Sequence, residues 1–393
     1  MNTLKKILFI TSGYAVGGGP RVQRGILDLE KDHLASFHLL SDRAKVRSEN
    51  PLLGYSYATL PNMFHHVIRP APSRIRSYIQ YLGLQQGYIF QIKSITRRII
   101  FDMIFGMNVS LHLTSHAAEV TSIPASHYVL AQTELNPFIG RSIVEKLHIL
   151  LAPPIDKVTS RALFSRLRKK CKVLTVSKYM RDWLKNSYGI KSYVIYPGIE
   201  KGFKPLHPSL KKHYILMISP FAPFKRQDVA IRVFSKIKMK NRVKLIIAGY
   251  VGKNSNYLAS LIRLRDKLGL KDNVRFLTNV DQNTLITLYR EAMCFLFTRG
   301  LHDIICEPFP LVTIEALASG TPVIAPVRGG QAEQVMDGYN GFLVHDEEEM
   351  CYKLDEMITD KELRFELSKN SPDSVSNYTI DKFKHRISIE LMN

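Results

Sequence analysis

Two acidic residues with a fixed spacing mark the most informative stretch of the chain. Glu307 and Glu315 are separated by seven residues, which begin with Pro-Phe-Pro and continue as a short apolar run. If every step between them were helical, their Cα atoms would lie about 12 Å apart. That span suits a sugar joined through two phosphates to a ribose, because a carboxylate at each end could accept hydrogen bonds from hydroxyl groups. The spacing therefore indicates a site for a nucleotide sugar.

The residues around the second acid predict the elements that position it. The apolar segment predicts a helix that ends at Gly320, and Pro322–Ala325 has the composition of a buried strand. A helix start offers unpaired N–H groups and the positive end of the helix dipole to a diphosphate. Pro310 has no N–H, so the following residues must supply it. The predicted donor-binding residues at this corner are Phe309, Leu311 and Val312.

This stretch resembles the donor-site signature of retaining glycosyltransferases of family 4, the group 1 glycosyl transferases of polysaccharide-biosynthesis type, which have the GT-B fold. Besides the two acids, the resemblance rests on the sequence ALASGTPVIA at 316–325 and on Gly329-Gly330-x-x-Glu333. It covers residues 196–346, and more weakly a Gly-rich loop near the N-terminus. It implies that Glu315 holds the ribose hydroxyls. It also implies that Glu307 fixes the sugar hydroxyls and stabilises the positive charge that develops on the sugar.

A basic loop in the second half is the predicted diphosphate contact. The resemblance implies an Arg and, a few residues later, a Lys at a loop-to-helix junction. Lys225 matches the Lys and is a predicted catalytic residue, but Pro220 stands where the Arg is expected. Arg226 is the candidate for the second charge, because a guanidinium binds phosphate through two N–H groups. No D-x-D acid pair is present, which agrees with a reaction that needs no metal and no cofactor besides the donor.

Two further loops are predicted to face the donor. The resemblance implies that the loop Thr278–Asp281, which includes Val280, holds the nucleobase largely through its backbone. Near the N-terminus, Gly18 and Gly19 belong to a Gly-rich turn after the strand Lys6–Ile10, an anion-binding corner of a doubly wound sheet. The turn is not G-x-G-x-x-G, which disfavours a dinucleotide cofactor and a dehydrogenase.

The catalytic partner from the first half stays open. The resemblance implies a His after the strand Tyr128–Ala131, beside the donor sugar, and the matching place here is near Thr133-Glu134. Glu134 is the predicted catalytic residue, and His116 and His127 are the alternatives.

Strands and helices alternate through both halves, which predicts the α/β GT-B fold: two Rossmann-like, doubly wound parallel-sheet domains facing each other across a cleft. The predicted domains are an acceptor-binding domain at 1–196, a nucleotide-sugar-binding domain at 197–375 and a C-terminal helix at 376–393 that crosses back to the first domain. Residues 43–98 have poor periodicity and predict surface loops and short helices. Arg161, Arg168 and Lys172 have helical spacing and predict a basic amphipathic helix.

The charge distribution predicts the partners of the first half. The chain of 393 residues has a formal net charge of +21. Residues 1–196 carry 27 Lys and Arg against 11 Asp and Glu, a difference of +16. This favours a glycan or lipid-diphosphate acceptor and an anionic membrane surface. No apolar stretch is long enough for a signal peptide or a spanning helix, and the four cysteines form no C-x-x-C pair. We therefore expect a cytoplasmic enzyme, peripheral at the inner face of the cell membrane.

The predicted function is a retaining glycosyltransferase (a hexosyltransferase) that uses a UDP- or GDP-sugar in surface polysaccharide biosynthesis. The alternative is a catalytically silent carbohydrate- or nucleotide-binding protein on the same scaffold, which the missing Arg at Pro220 keeps open. A nucleic-acid-binding protein is a weaker option that depends on charge alone, since no nucleic-acid motif is present, and we expect no nucleic-acid partner.

Overall fold

The computed structural model of the chain describes the backbone of the strands before residue 171 and then residues 171–251, 256–303 and 306–392. The chain forms two compact units, Met1–Tyr196 together with Lys384–Asn393, and Pro197–Phe383. The division therefore falls once between Tyr196 and Pro197 and once inside the last helix. Within the described ranges, none of the helices combines the length and the apolar character that crossing a bilayer requires.

The first unit is built on a parallel sheet. Its described strands are Lys5–Thr11 (β1), Leu34–Ser41 (β2), Met63–Val67 (β5), Phe101–Met107 (β6), Ala125–Gln132 (β7), Cys171–Thr175 (β8) and Tyr193–Val194 (β9). They lie in the order β5-β2-β1-β6-β7-β8-β9, and every neighbouring pair is parallel. Glu49–Asn50 (β3) and Tyr55–Ser56 (β4) form a separate antiparallel pair. Helix α1, Lys178–Tyr188, follows β8 and is capped by the side chain of Ser177.

Two predictions for the first half were wrong. Residues 43–98 were predicted as loops and short helices, yet β5 lies there and pairs with β2 as an edge strand. Its sequence, MFHHV, contains two adjacent His residues that break the apolar run. Lys172 was predicted on the basic helix with Arg161 and Arg168, but it lies in β8, paired with Val129 of β7. A residue in an extended strand cannot share a helix face with residues several turns earlier.

The second unit also contains a parallel sheet. Its strands are Tyr214–Ile218 (β10), Lys244–Gly249 (β11), Val274–Thr278 (β12), Cys294–Leu296 (β13), Val323–Pro326 (β14) and Gly341–Val344 (β15). They lie in the order β12-β11-β10-β13-β14-β15. The helices are Gln227–Lys236 (α2), Asn256–Lys267 (α3), Gln282–Glu291 (α4), Leu311–Ala318 (α5), Glu347–Thr359 (α6) and Lys361–Ser374 (α7). The last helix, Ile380–Met392 (α8), begins in this unit and ends in the first.

Apolar strands and the inner faces of the helices form the core of the second unit. All five residues of β10 are buried, as expected for a central strand of a parallel sheet covered on both faces. Helix α2 buries Val229, Val233 and Phe234 against this sheet. Helix α6 packs against α2, and α5 packs against α7. The helices therefore fix the carboxyl ends of the strands, where the loops of the candidate site begin.

Candidate donor-binding site

The candidate site lies where the strand order of the second sheet reverses. From β10 the chain proceeds through β11 and β12 on one side, and β13 then pairs with the other side of β10. Ligands of doubly wound sheets bind at such a point, at the carboxyl ends of the strands. The loop after β10 carries Lys225, and the loop after β13 carries Arg299 and Glu307. The topology thus brings together side chains that are far apart in sequence.

A three-residue charge cluster occupies this position. Oε2 of Glu307 accepts hydrogen bonds from Nζ of Lys225, at 2.9 Å, and from the guanidinium of Arg299. The side chains of Lys225, Arg299 and Glu307 are 19%, 10% and 20% exposed. Burial raises the pKa of Glu307, but the charges and hydrogen bonds of the two cations outweigh burial and lower the pKa from 4.5 to about 2. Glu307 is therefore a carboxylate throughout the physiological pH range.

Phe224 lies beside both cations of the cluster. Nζ of Lys225 and Cζ of Arg299 lie 5.3 and 5.4 Å from the centroid of its ring. Cations at this distance are attracted by the negative face of an aromatic ring. Phe224 itself is 42% exposed. The ring thus helps to hold two like charges close to one another at the carboxyl ends of the strands.

The loop after β10 has a fixed backbone conformation. Pro223–Lys225 form a 3-10 turn, and Arg226 adopts the left-handed conformation with φ 60° before α2 begins. The hydroxyl of Thr298, after β13, donates a hydrogen bond of 2.9 Å to the carbonyl of Arg226. Residues other than glycine seldom adopt this conformation, and those that do cluster at functional sites. The bond joins the loop that carries Lys225 to the loop that carries Glu307.

The guanidinium of Arg226 faces a different acid. Its Nε lies 4.0 Å from Oδ1 of Asp228, and Arg232 and the hydroxyl of Tyr257 also contact that carboxylate. Arg226, the predicted second phosphate-binding charge, is thus placed next to the cluster but not in it. Arg299 was not among the predicted site residues. The sequence shows it only as a basic residue in the loop that follows a buried strand.

Gly329 and Gly330 pack against the residues on either side of Glu307. The N–H of Gly330 donates a hydrogen bond of 2.8 Å to the carbonyl of Glu307. A Cβ atom at Gly330 would lie 1.8 Å from the carbonyl oxygen of Pro308. Gly329 has φ 110°, a conformation that other residues rarely adopt. The Gly-Gly pair therefore lets two backbone segments approach closely enough to fix the acid.

The start of α5 adjoins the cluster. Its N-cap is Pro310, and no side chain caps the helix. Leu311 is buried and Val312 is half-buried. The ring of Phe309 packs edge-on against Tyr378, with centroids 5.5 Å apart. The predicted donor-binding residues of this corner are thus apolar and lie at the helix start, whose dipole favours an anion.

Glu315 lies in the middle of α5 and is only 3% exposed. The hydroxyl of Tyr289, on α4, donates a hydrogen bond of 2.9 Å to its Oε2. Tyr289 is fully buried, and the rings of Phe203 and Phe295 each lie 5.7 Å from its own. Sequence analysis did not single out Tyr289. The second acid of the signature is therefore held by a buried hydrogen bond.

The predicted nucleobase loop carries a second unusual backbone conformation. Asn279 has φ 53°, and its side-chain oxygen accepts a hydrogen bond of 3.3 Å from the N–H of Val251. Val280 beside it is half-buried. A Cβ atom at Gly249 would lie 1.8 Å from the carbonyl oxygen of Ser219. The loops that end β10, β11 and β12 are therefore in direct contact.

Four of the remaining predicted site residues, Glu134, Gly18, Gly19 and His116, lie outside the described residues. His127 lies within β7 and not after it. His302 and Asp303, adjacent in the loop after β13, have separate partners: His302 contacts Glu347, and Asp303 accepts a hydrogen bond from the N–H of Gly300. Across the ranges that the structure describes, no three His, Cys, Asp or Glu side chains are arranged to hold a metal ion.

Comparison with protein families matches this unit to a known group. Residues 199–374 match the family model described as "Glycosyl transferases group 1". A D-inositol 3-phosphate glycosyltransferase 2 of Catenulispora acidiphila is 38% identical over 136 residues, 33% of this chain and 31% of that protein. A D-inositol 3-phosphate glycosyltransferase of Stackebrandtia nassauensis is 31% identical over 165 residues, 40% and 36% of the two chains. The chain thus spans about a third of the length of these relatives, whose names, with the family description, support a transferase enzyme.

Solved structures show the fold. Sucrose-phosphate synthase from Thermosynechococcus elongatus matches with a TM-score of 0.77 and 16% identity, over 99% of this chain and 98% of that one. Anabaena HepE in complex with UDP-glucose matches with a TM-score of 0.72 and 18% identity, over 99% of each chain. The predicted GT-B class, with doubly wound parallel sheets, is confirmed.

Proposed function

We propose that this chain is a retaining, metal-independent glycosyltransferase of family 4 that transfers a hexose from a nucleotide-diphosphate sugar. The observation that carries the proposal is the cluster of Lys225, Arg299 and Glu307 beside the start of α5, at the switch point of the second sheet. The cations of the cluster and the dipole of α5 suit a diphosphate, and the carboxylate of the cluster suits sugar hydroxyls. Structural neighbours hold UDP and UDP-glucose, which supports a nucleotide-sugar donor.

In the proposed reaction, the bond between the anomeric carbon and the diphosphate oxygen breaks. The oxygen of an acceptor hydroxyl bonds to the anomeric carbon, and its proton passes to the departing diphosphate. Lys225 and the N–H groups at the start of α5 stabilise the negative charge on the departing diphosphate. Glu307 stabilises the positive charge that develops on the sugar. Glu315, with its orientation set by Tyr289, accepts hydrogen bonds from the ribose hydroxyls. The partner from the first unit is Glu134, with His116 and His127 as alternatives.

Calorimetric titration with UDP and GDP tests the donor site. We expect one of the two nucleotides to bind in the micromolar range, and Glu315→Ala to weaken that binding. Glu356→Ala, on α6 and paired with Lys353, is the matched control and should bind like the wild type. If wild type binds neither nucleotide, the proposal fails. The anomeric proton signal of the product, compared with that of the donor, tests retention.

The acceptor is proposed as a glycan or a lipid diphosphate in surface polysaccharide synthesis, because the first half of the chain carries most of the positive charge. Relatives are named D-inositol 3-phosphate glycosyltransferase, and the chain matches about a third of the length of each. We propose a peripheral position at the inner face of the membrane. Flotation with anionic vesicles at low salt should carry the protein upward, and its absence from the vesicle fraction would contradict the membrane proposal.

A further inference from the structure

The charge cluster is electrostatically incomplete. Two cations, Lys225 and Arg299, contact one carboxylate oxygen of Glu307. Within residues 171–251, 256–303 and 306–392, both cations form their ion pairs with this acid alone. One positive charge is therefore unbalanced. The Arg299 side chain is only 10% exposed, so solvent screens this charge poorly.

Arg299 has capacity for a further anionic partner. A guanidinium carries five N–H donors, and the hydrogen bond of Arg299 in the described residues uses NH1 toward Glu307. Its other face adjoins the ring of Phe224, which orients the planar group without using its donors. A planar, oriented guanidinium with free donor positions suits a phosphate, which it can bind through two parallel hydrogen bonds.

Arg226 is less suited to the same task. The acid that its guanidinium faces is Asp228, 4.0 Å away, which also binds Arg232. The side chain of Arg226 is 29% exposed, against 10% for Arg299. Its left-handed backbone and its carbonyl, bound by Thr298, serve to shape the loop. Pro220, where the family resemblance implies an Arg, is exposed and uncharged. Of the basic residues around Glu307, Arg299 therefore combines the deepest burial with contacts to both Glu307 and Phe224.

We propose that Arg299 binds the diphosphate of the donor together with Lys225, and that Glu307 holds both cations in position. This inference rests on the proposed function for the identity of the ligand. It replaces Arg226 as the second phosphate-binding charge. It also assigns Oε2 of Glu307 to the cations and leaves Oε1 to face the sugar.

Calorimetric titration with inorganic pyrophosphate tests the inference on the full chain. We expect Arg299→Gln to lower the affinity for pyrophosphate by at least about tenfold, since a charged hydrogen-bonding contact is lost. Arg226→Gln is the matched control and should change the affinity by less than about threefold. Equal affinities of wild type and folded Arg299→Gln would overturn the inference, as would a wild type that does not bind pyrophosphate at millimolar concentration.

Circular dichroism shows whether each variant is folded. If Arg299→Gln does not fold, Arg299→Lys replaces it, because this variant keeps the charge and loses only the two-point contact. Its affinity should fall by about threefold to tenfold, and an affinity equal to that of wild type would contradict the inference. Titrations with UDP and GDP separate the two proposals. A wild type that binds pyrophosphate but neither nucleotide refutes the donor proposal, while the Arg299 variants still decide the role of the cluster.

Discussion

The hydroxyl of Tyr289 donates a hydrogen bond of 2.9 Å to Oε2 of Glu315, joining α4 to the middle of α5 inside the core. The carboxylate that is proposed to hold the ribose is thus oriented by a residue that is itself fully buried. Its position is fixed before any ligand binds, which lowers the entropy cost of binding.

Tyr289→Phe should therefore weaken nucleotide binding as well as stability. The substitution removes a buried hydrogen bond to a carboxylate, which should lower the stability by about 1–3 kcal/mol. Tyr214→Phe is the matched control, because its hydroxyl also donates a hydrogen bond, at 2.7 Å, but to the carbonyl of Leu288. Thermal melting should show a loss in both variants, whereas calorimetry should show weaker UDP or GDP binding only in Tyr289→Phe. Equal nucleotide affinities in the two variants would contradict a positioning role.

Glu307→Gln should reduce turnover strongly. The amide keeps the shape of the side chain but removes the negative charge between two cations and opposite the developing charge on the sugar. We expect the activation free energy to rise by about 3 kcal/mol, close to a hundredfold in rate. Steady-state assays with the donor found by titration provide the measurement. Glu349→Gln, on the surface of α6 beside His345, should leave the rate unchanged. A Glu307→Gln enzyme with the turnover of wild type would exclude the proposed role.

The same acid predicts a pH dependence of stability. The pKa of Glu307 is lowered from 4.5 to about 2 in the folded state, so the unfolded chain binds a proton first. The contribution of this group is fully present above pH 4.5 and is lost as the pH falls toward 2. The difference in melting temperature between wild type and Glu307→Gln should therefore shrink between these values. A difference that stays constant across this range would show that Glu307 does not titrate as proposed.

Gly330→Ala should disturb the site more than the fold. A methyl group at this position would meet the carbonyl oxygen of Pro308 at 1.8 Å, so the segment that holds Glu307 must shift. Gly338→Ala is the control, because a Cβ there meets nothing within 4 Å and its φ of 72° adds only backbone strain, about 1 kcal/mol. Nucleotide affinity should fall in Gly330→Ala and stay unchanged in Gly338→Ala. Normal affinity in a folded Gly330→Ala would show that the close approach is not needed.

Local sequence patterns were sufficient to predict many of the helices and strands of the second unit. The signature from Glu307 onward predicted the loop, α5 and β14 in order, and the continuous apolar run Tyr214–Ile218 is the pattern typical of a central strand such as β10. These elements have strong local signals, because central parallel strands are apolar on both faces and glycine ends helices. In the first unit, the two His residues of β5 interrupt the apolar run by which a buried strand is recognised. An edge strand does not need a continuous apolar run.

The charge cluster could not be derived from local patterns. Lys225 and Glu307 are 82 positions apart, and only the pairing of β10 with β13 brings their loops together. Arg299 has no spacing that distinguishes it from other loop arginines, and its burial and its contact with Glu307 depend on that pairing. The role of Tyr289 depends on the packing of α4 against α5 in the same way.

The strand order of the second sheet has a consequence for engineering. The loop after β12, proposed to contact the nucleobase, lies two strands from the loop that carries Lys225, or about 10 Å at the usual strand spacing. Base preference and phosphate binding are thus proposed for different loops. The loop at 278–281 could therefore be exchanged to change nucleotide preference while the charge cluster is left intact, provided that the turn at Asn279, which contacts the loop after β11, is retained.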